Sequence, residues 1–236
     1  MKNATTLLLL FISLISFSQE ITGDELLEKA IQFHDPNNNW PTFKGALFVT
    51  METPKNSDRK SEININLPEE YFSVKAIKDT IVTAFILDKG ACSFSINGDE
   101  NPSAALKKQY SLSCERAKMY KNYYTYLYGL PMKLKDDGTI IHQKVARKTF
   151  KGKAYLVLKA TYSEGVGKDT WYFYFDPTTF EMEVYQFFKE AKDSGEYILL
   201  SGLETINEVK IPKVRAWYYN KNNGYLGTDI LSKENK

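Results

Sequence analysis

The run Trp171-Tyr172-Phe173-Tyr174-Phe175 carries a ring at each of five successive positions. Alternate residues of a strand point to opposite faces. Trp171, Phe173 and Phe175 therefore share one face, and Tyr172 and Tyr174 take the other. A sheet bathed by water on one side shows polar residues there, and this run shows none. Either both faces of the sheet are partly covered, or one of them lines an apolar cavity.

Period-two patterning extends along most of the chain. Ile63, Ile65 and Leu67 alternate with Glu62, Asn64 and Asn66, as a half-buried strand requires. Similar runs lie at 46–52, 71–78, 80–88 and 92–97, and again at 140–150, 153–163, 170–176, 182–189, 196–204, 214–220 and 226–231. Asp136-Asp137-Gly138, Asp176-Pro177 and Asn222-Asn223-Gly224 supply turns between them. Two stretches break the pattern. Thr22 and Glu25 form a capping box that starts a helix carrying Leu27, Ala30, Ile31 and His34 on one face, and Pro36 stops it. Residues 101–129 read as one or two helices ending near Gly129. The expected fold is mainly β (α+β): a strongly curved antiparallel half-barrel sheet of about a dozen strands, with an N-terminal helix and a helical insertion.

The first residues carry Lys2, an apolar run over 7–15, and small residues at Ser16 and Ser18. That run suits a signal-peptide core and is too short to span a bilayer. A signal peptide over 1–18 and a single β-rich half-barrel domain over 19–236 follow, and the destination is the periplasm or the medium. No later stretch is apolar for long enough to cross a membrane. A formal net charge of +2 provides no electrostatic footprint for nucleic acid. Cys92 and Cys114 are the only cysteines. In an oxidising compartment they can form a bridge worth roughly 3 kcal/mol; a pair of buried free thiols is the alternative.

His34-Asp35-Pro36, with Trp40 close behind, is the most chemically suggestive cluster. A histidine beside a carboxylate serves as a general base or a metal ligand. It equally ends a helix, where imidazolium meets the negative dipole end, while Asp35-Pro36 makes the turn. His142 falls on an expected strand. Two histidines and two separated cysteines form no zinc motif. No nucleophile elbow, phosphate loop, zincin motif or dinucleotide fingerprint is present, so no catalytic residue, metal or cofactor is assigned. The aromatic stretch 123–131 packs a helix end onto the sheet or lays tyrosines over a cavity mouth. Trp217 and Tyr219 repeat the spacing of Trp171, Phe173 and Phe175. Rigid rings at alternate positions can line a groove, so these five residues and Tyr126 are the candidate ligand contacts.

Together, His34-Asp35-Pro36 with Trp40, the stretch Tyr124 to Leu134, Phe150-Lys151-Gly152-Lys153, the run Tyr172 to Pro177, and Gly227-Thr228-Asp229 resemble an uncharacterised family of exported proteins from flavobacteria and their relatives. At the level of fold, the chain resembles the outer-membrane lipoprotein carrier (LolA-like) superfamily. That resemblance implies a half-barrel sheet around an apolar cavity capped by helices, and binding of acyl chains. The expectation is an exported binder or carrier of lipid, lipoprotein acyl chains or another apolar molecule, with envelope proteins as further partners. The alternatives are an envelope hydrolase using His34 and Asp35, or an envelope scaffold protein without catalysis.

Overall fold

The computed structural model describes residues 20–189 and 194–233. The expected signal peptide and its cleavage junction lie outside them. Helix α1 (Gly23–His34) opens with the capping box: the Thr22 hydroxyl accepts the Glu25 N–H, and the Glu25 carboxylate accepts the Thr22 N–H. Two donors that no helical carbonyl can reach are thereby satisfied. The helix ends where Asp35, held before Pro36, leaves helical geometry at φ −140° and ψ 69°. Leu26, Leu27 and Ala30 form its buried stripe.

Five strands follow: β1 (Lys44–Thr53), β2 (Asn56–Asn66), β3 (Tyr71–Lys78), β4 (Ile81–Asp88) and β5 (Ala91–Ile96). Helices α2 (Ala104–Gln109) and α3 (Cys114–Tyr128) fill the insertion. The second strand series comprises β6 (Thr139–Ile141), β7 (Ala146–Phe150), β8 (Lys153–Tyr162), β9 (Thr170–Phe175), β10 (Met182–Phe188), β11 (Glu196–Ile206), β12 (Val209–Tyr219) and β13 (Tyr225–Ser232). Among the described residues they make one curved, open, antiparallel sheet of thirteen strands in the order β5-β4-β3-β2-β1-β13-β12-β11-β10-β9-β8-β6, with β7 beside β6 along β8. The first and last strands, β1 and β13, meet in its middle.

Three stretches differ from the sequence pattern. The expected strand over 140–150 is two strands, because the start of α1 takes the backbone between them: Gly23 N–H donates to Gln143 O at 2.9 Å, and Thr22 bridges Lys144. Strand β2 begins at Asn56, well before its apolar alternation, and its polar first half still pairs with β1. Strand β12 begins at Val209, directly after Asn207-Glu208, whose φ values of 49° and 64° make a two-residue hairpin turn.

Cross-strand register explains where the rings go. Leu158, Phe173, Tyr185, Ile198 and Trp217 form one row across β8 to β12 on the concave face. This row joins the core with Leu26, Leu27 and Ala30 of α1. At the far end α3 lies on β3 and β4, with Tyr124 against Phe72 and Tyr120 against Phe85. On the opposite face Tyr155, Val157, Tyr174 and Val184 make a smaller cluster. There Phe150 folds over Tyr174 and Tyr197, at ring separations of 5.2 and 5.4 Å. Both faces of the aromatic strands are covered. Among the described residues no helix is long and apolar enough to cross a membrane.

Cys92 and Cys114 are bonded, with Cα atoms 5.9 Å apart. The bridge ties the first residue of α3 to the edge strand β5. Substituting Cys114→Ser should therefore lower unfolding free energy by roughly 3 kcal/mol. Urea titrations of the variant and the parent, both without reductant, measure the difference; equal midpoints would remove the bridge from the account of stability.

Candidate functional site

His34, Asp35 and Trp40 sit at the end of α1, inside the molecule. His34 is fully buried. Its Nε2 accepts the Met182 N–H at 3.0 Å, so the proton sits on Nδ1, which donates to Lys210 O at 2.7 Å. Burial pushes its pKa down to about 4, which keeps the ring neutral. Both ring nitrogens are thus engaged by the backbone of β10 and β12. The Asp35 carboxylate accepts the N–H groups of Asn39 and Trp40, each at 2.8 Å. Trp40 packs on Phe43 and lies against Gly129 at the end of α3. A Cβ at position 129 would come within 2.2 Å of the indole, so this approach requires glycine. The three residues bolt α1 and the turn after it to the sheet and to the end of α3. His142 lies apart, with Nε2 3.0 Å from Thr161 Oγ1.

The six candidate ligand contacts separate into three groups. Phe173 and Phe175 are fully buried in the core. Tyr219 is exposed at the far end of β12. Trp171, Trp217 and Tyr126 are half-buried where α3 meets the concave face. Rings connect them: Tyr126 to Trp171 at 5.6 Å, Trp171 to Tyr185 at 6.0 Å, Tyr185 to Trp217 at 6.2 Å, and Trp217 to Tyr123 at 6.3 Å. The Tyr126 hydroxyl also meets that of Tyr162.

A charged row crosses the same face. Register places Arg215 opposite Asp229, Asp229 opposite Met51, and Met51 opposite Arg59, on four successive strands. Arg215 is buried, with its guanidinium 3.8 Å over the Tyr128 ring. It donates to Pro212 O at 2.6 Å and to Leu127 O, in the last turn of α3, at 3.4 Å. A cation there complements the helix dipole. Asp229, also buried, accepts the Tyr123 hydroxyl at 3.2 Å. Burial raises its pKa, opposed by Arg215 and Arg59. Burial also holds the Tyr123, Tyr126 and Tyr128 phenols well above their ordinary range. Met51, Thr53, Tyr123, Trp217, Leu226, Gly227 and Asp229 line a pocket of about 140 Å³ beside this row.

Arg59, Arg215 and Asp229 were not among the sequence candidates. The available signal was phase: Arg215 falls in step with Val209, Ile211 and Trp217 on the apolar face of its strand. A charged residue in a core-facing position is rarely there without a partner or a task. The arrangement offers an apolar, ring-lined seam ending at fixed charges. Among the described residues no three His, Cys, Asp or Glu side chains converge as a metal site.

Residues 2–234 match the model of a family of unknown function, DUF6503. No curated protein matches by sequence. Among solved structures, the chain is similar to a LolA superfamily protein from Nitrosomonas europaea, with 12% identity, a TM-score of 0.53, and 92% and 94% of the two chains covered. A domain described as an outer membrane lipoprotein-sorting protein, from Vibrio parahaemolyticus, is similar at 11% identity and TM-score 0.50 over 89% and 91% of the chains. A DUF1329 family protein from Desulfovibrio piger is similar at 8% identity and TM-score 0.50 over 89% and 90%. At these identities the likeness is one of fold.

The buried histidine makes stability depend on pH. Its folded pKa of about 4 lies below the ordinary 6.5, so the unfolded chain takes up the proton first as pH falls. Its contribution is complete above about pH 6.5 and drains away between there and pH 4, amounting to about 3 kcal/mol. Urea unfolding at pH 7.5 and 4.5 should show the loss, and His34→Gln should flatten it. An equally steep decline in the variant would assign the effect to other groups.

Proposed function

We propose that this chain, which belongs to the DUF6503 family, is an exported soluble carrier of an apolar ligand, held between α3 and the concave face of its half-barrel. The observation that carries the reading is the seam of half-buried rings, Tyr126, Trp171, Trp217 and Tyr123, along the line where α3 meets the sheet. An interface that only had to stay shut would be closed by branched aliphatics. Rigid amphipathic rings keep their shape when a neighbour moves, and they tolerate water at one end and an acyl chain at the other. The likeness to the LolA superfamily and lipoprotein-sorting structures supports the same plan of curved sheet and covering helices. It also supports a periplasmic setting, in keeping with the signal peptide expected over 1–18, with residues 19–236 as one domain.

The two helices divide the labour. Helix α1 is fixed by an aliphatic stripe and by His34. Helix α3 is tied at its start by the disulfide and at its end by Trp40, while its length between them rests largely on tyrosines and polar contacts; that middle stretch is the part that gives way. Burial of a methylene yields roughly 0.8 kcal/mol, so ten of them supply about 8 kcal/mol gross toward moving one helix and ordering a ligand.

Native mass spectrometry of the mature protein purified from its host should reveal retained lipid, and a fluorescent fatty acid should bind saturably. Trp217→Ala should weaken that probe about fivefold or more with little loss of stability. Phe173→Ala, a truncation in the solid part of the core, should instead cost about 3–5 kcal/mol of stability. A parent protein that carries no lipid and takes up no probe would refute the carrier.

A further inference from the structure

Among the described residues, the buried side-chain polar atoms without a hydrogen-bond partner are Arg59 Nε, Arg215 Nε and the hydroxyls of Tyr128 and Tyr185. All four belong to one patch beneath α3. Arg215 lies over Tyr128 and acts on the Tyr185 hydroxyl both by its charge and by hydrogen bonding, and the Tyr185 ring touches Trp217. Arg59 ends the row that runs through Met51 and Asp229 to Arg215. Leaving a buried donor unpaired costs about 1–3 kcal/mol, and more when it is charged. The Tyr185 hydroxyl can accept from Arg215, so the charged donor left wanting an acceptor is Arg59 Nε, at the outer end of the row.

Charge narrows what that acceptor is. The patch holds two guanidiniums and one carboxylate. Asp229 already accepts from Tyr123, and no oxygen of it lies within ion-pair distance of either arginine among the described bridges. Lys78, exposed opposite Arg59 on β3, adds another cation at that end. The further carboxylates in step with this face, Glu196 and Glu204 on β11, are offset by Lys189 and bridged to Lys213 respectively. A buried excess of positive charge is costly unless an anion completes it. The two arginines differ in availability. Arg215 is spent on Pro212 O and Leu127 O. Arg59 is only half-buried, rests near the Tyr120 ring, and donates to the weak acceptor Sδ of Met51 at 3.6 Å. Met51 in turn lines the 140 Å³ pocket with Trp217 and Tyr123.

Building on the carrier reading, we propose that the ligand is an amphiphile with an anionic head, a carboxylate or a phosphate monoester. The head is received by Arg59, with Arg215 behind it, and the tail follows the seam past Tyr123 and Trp217. Arg59 exchanges the Met51 sulfur for a charged oxygen acceptor, a stronger partner for guanidinium.

Three probes of equal chain length test this at pH 8 on the full mature protein: palmitate, hexadecyl phosphate and uncharged methyl palmitate, each displacing a fluorescent apolar reporter. At least one anion should bind roughly tenfold or more tightly than the ester, and the tighter of the two identifies the head. Arg59→Gln should bring the anion-to-ester ratio down toward one, and Arg59→Lys should retain part of it. If the ester binds as well as both anions, the head-group site is overturned while the carrier stands. If none of the three binds, the carrier reading falls and takes this site with it. The anion-to-ester ratio of the parent protein decides the matter even if the variants fold poorly.

Discussion

A curved sheet of this width has a concave side that no single helix can cover. The structure covers it with two helices that are held by different physics. Leu26, Leu27 and Ala30 give α1 an ordinary apolar contact, and His34 adds hydrogen bonds to the backbone of two strands. A neutral imidazole that donates on one side and accepts on the other is a rigid pin, because its tautomer is set by both partners. Helix α3 has a different underside. Tyrosines rest on Phe72 and Phe85 at one end and on a charged row at the other, and a disulfide holds its start. The fixed helix and the polar-seated helix together define where a ligand can be admitted without dismantling the core.

Much of the fold was legible because its signals are local. The capping box at Thr22 and Glu25, the stop at Asp35-Pro36, and the alternation of most strands follow from residue type and spacing alone. Where reading failed, a long-range contact had overruled the pattern. The stretch over 140–150 looks like one strand until the start of α1 pairs with Gln143 and Lys144. Pro212 and the short Asn207-Glu208 turn concealed the beginning of β12, since proline inside a run argues against a strand.

The candidate site was less legible, for a related reason. Periodicity finds rings that share a face of one strand, and it found Trp171 and Trp217. It cannot tell the fully buried Phe173 from the half-buried Trp171 two residues away, because helix placement decides that. The charged row was harder still. Arg59 on β2 lies far in the chain from Arg215 and Asp229 on the paired strands β12 and β13, and only the register of β1 and β13 brings the three into line.

That register also orders events in time. Strand β1 is the first and β13 the last of the described strands, yet they are neighbours at the centre of the sheet. Until β13 pairs with β1, the sheet is two flanks with no strand hydrogen-bonded between them. Contacts this distant in sequence form slowly, because a long loop must close before they repay its entropy. Asp229 lies on the closing strand, so the polar stripe beneath α3 is incomplete until that strand docks. Before that pairing there are sheet edges but no completed site, and the docking of β13 on β1 unites the flanks and assembles the site in one step.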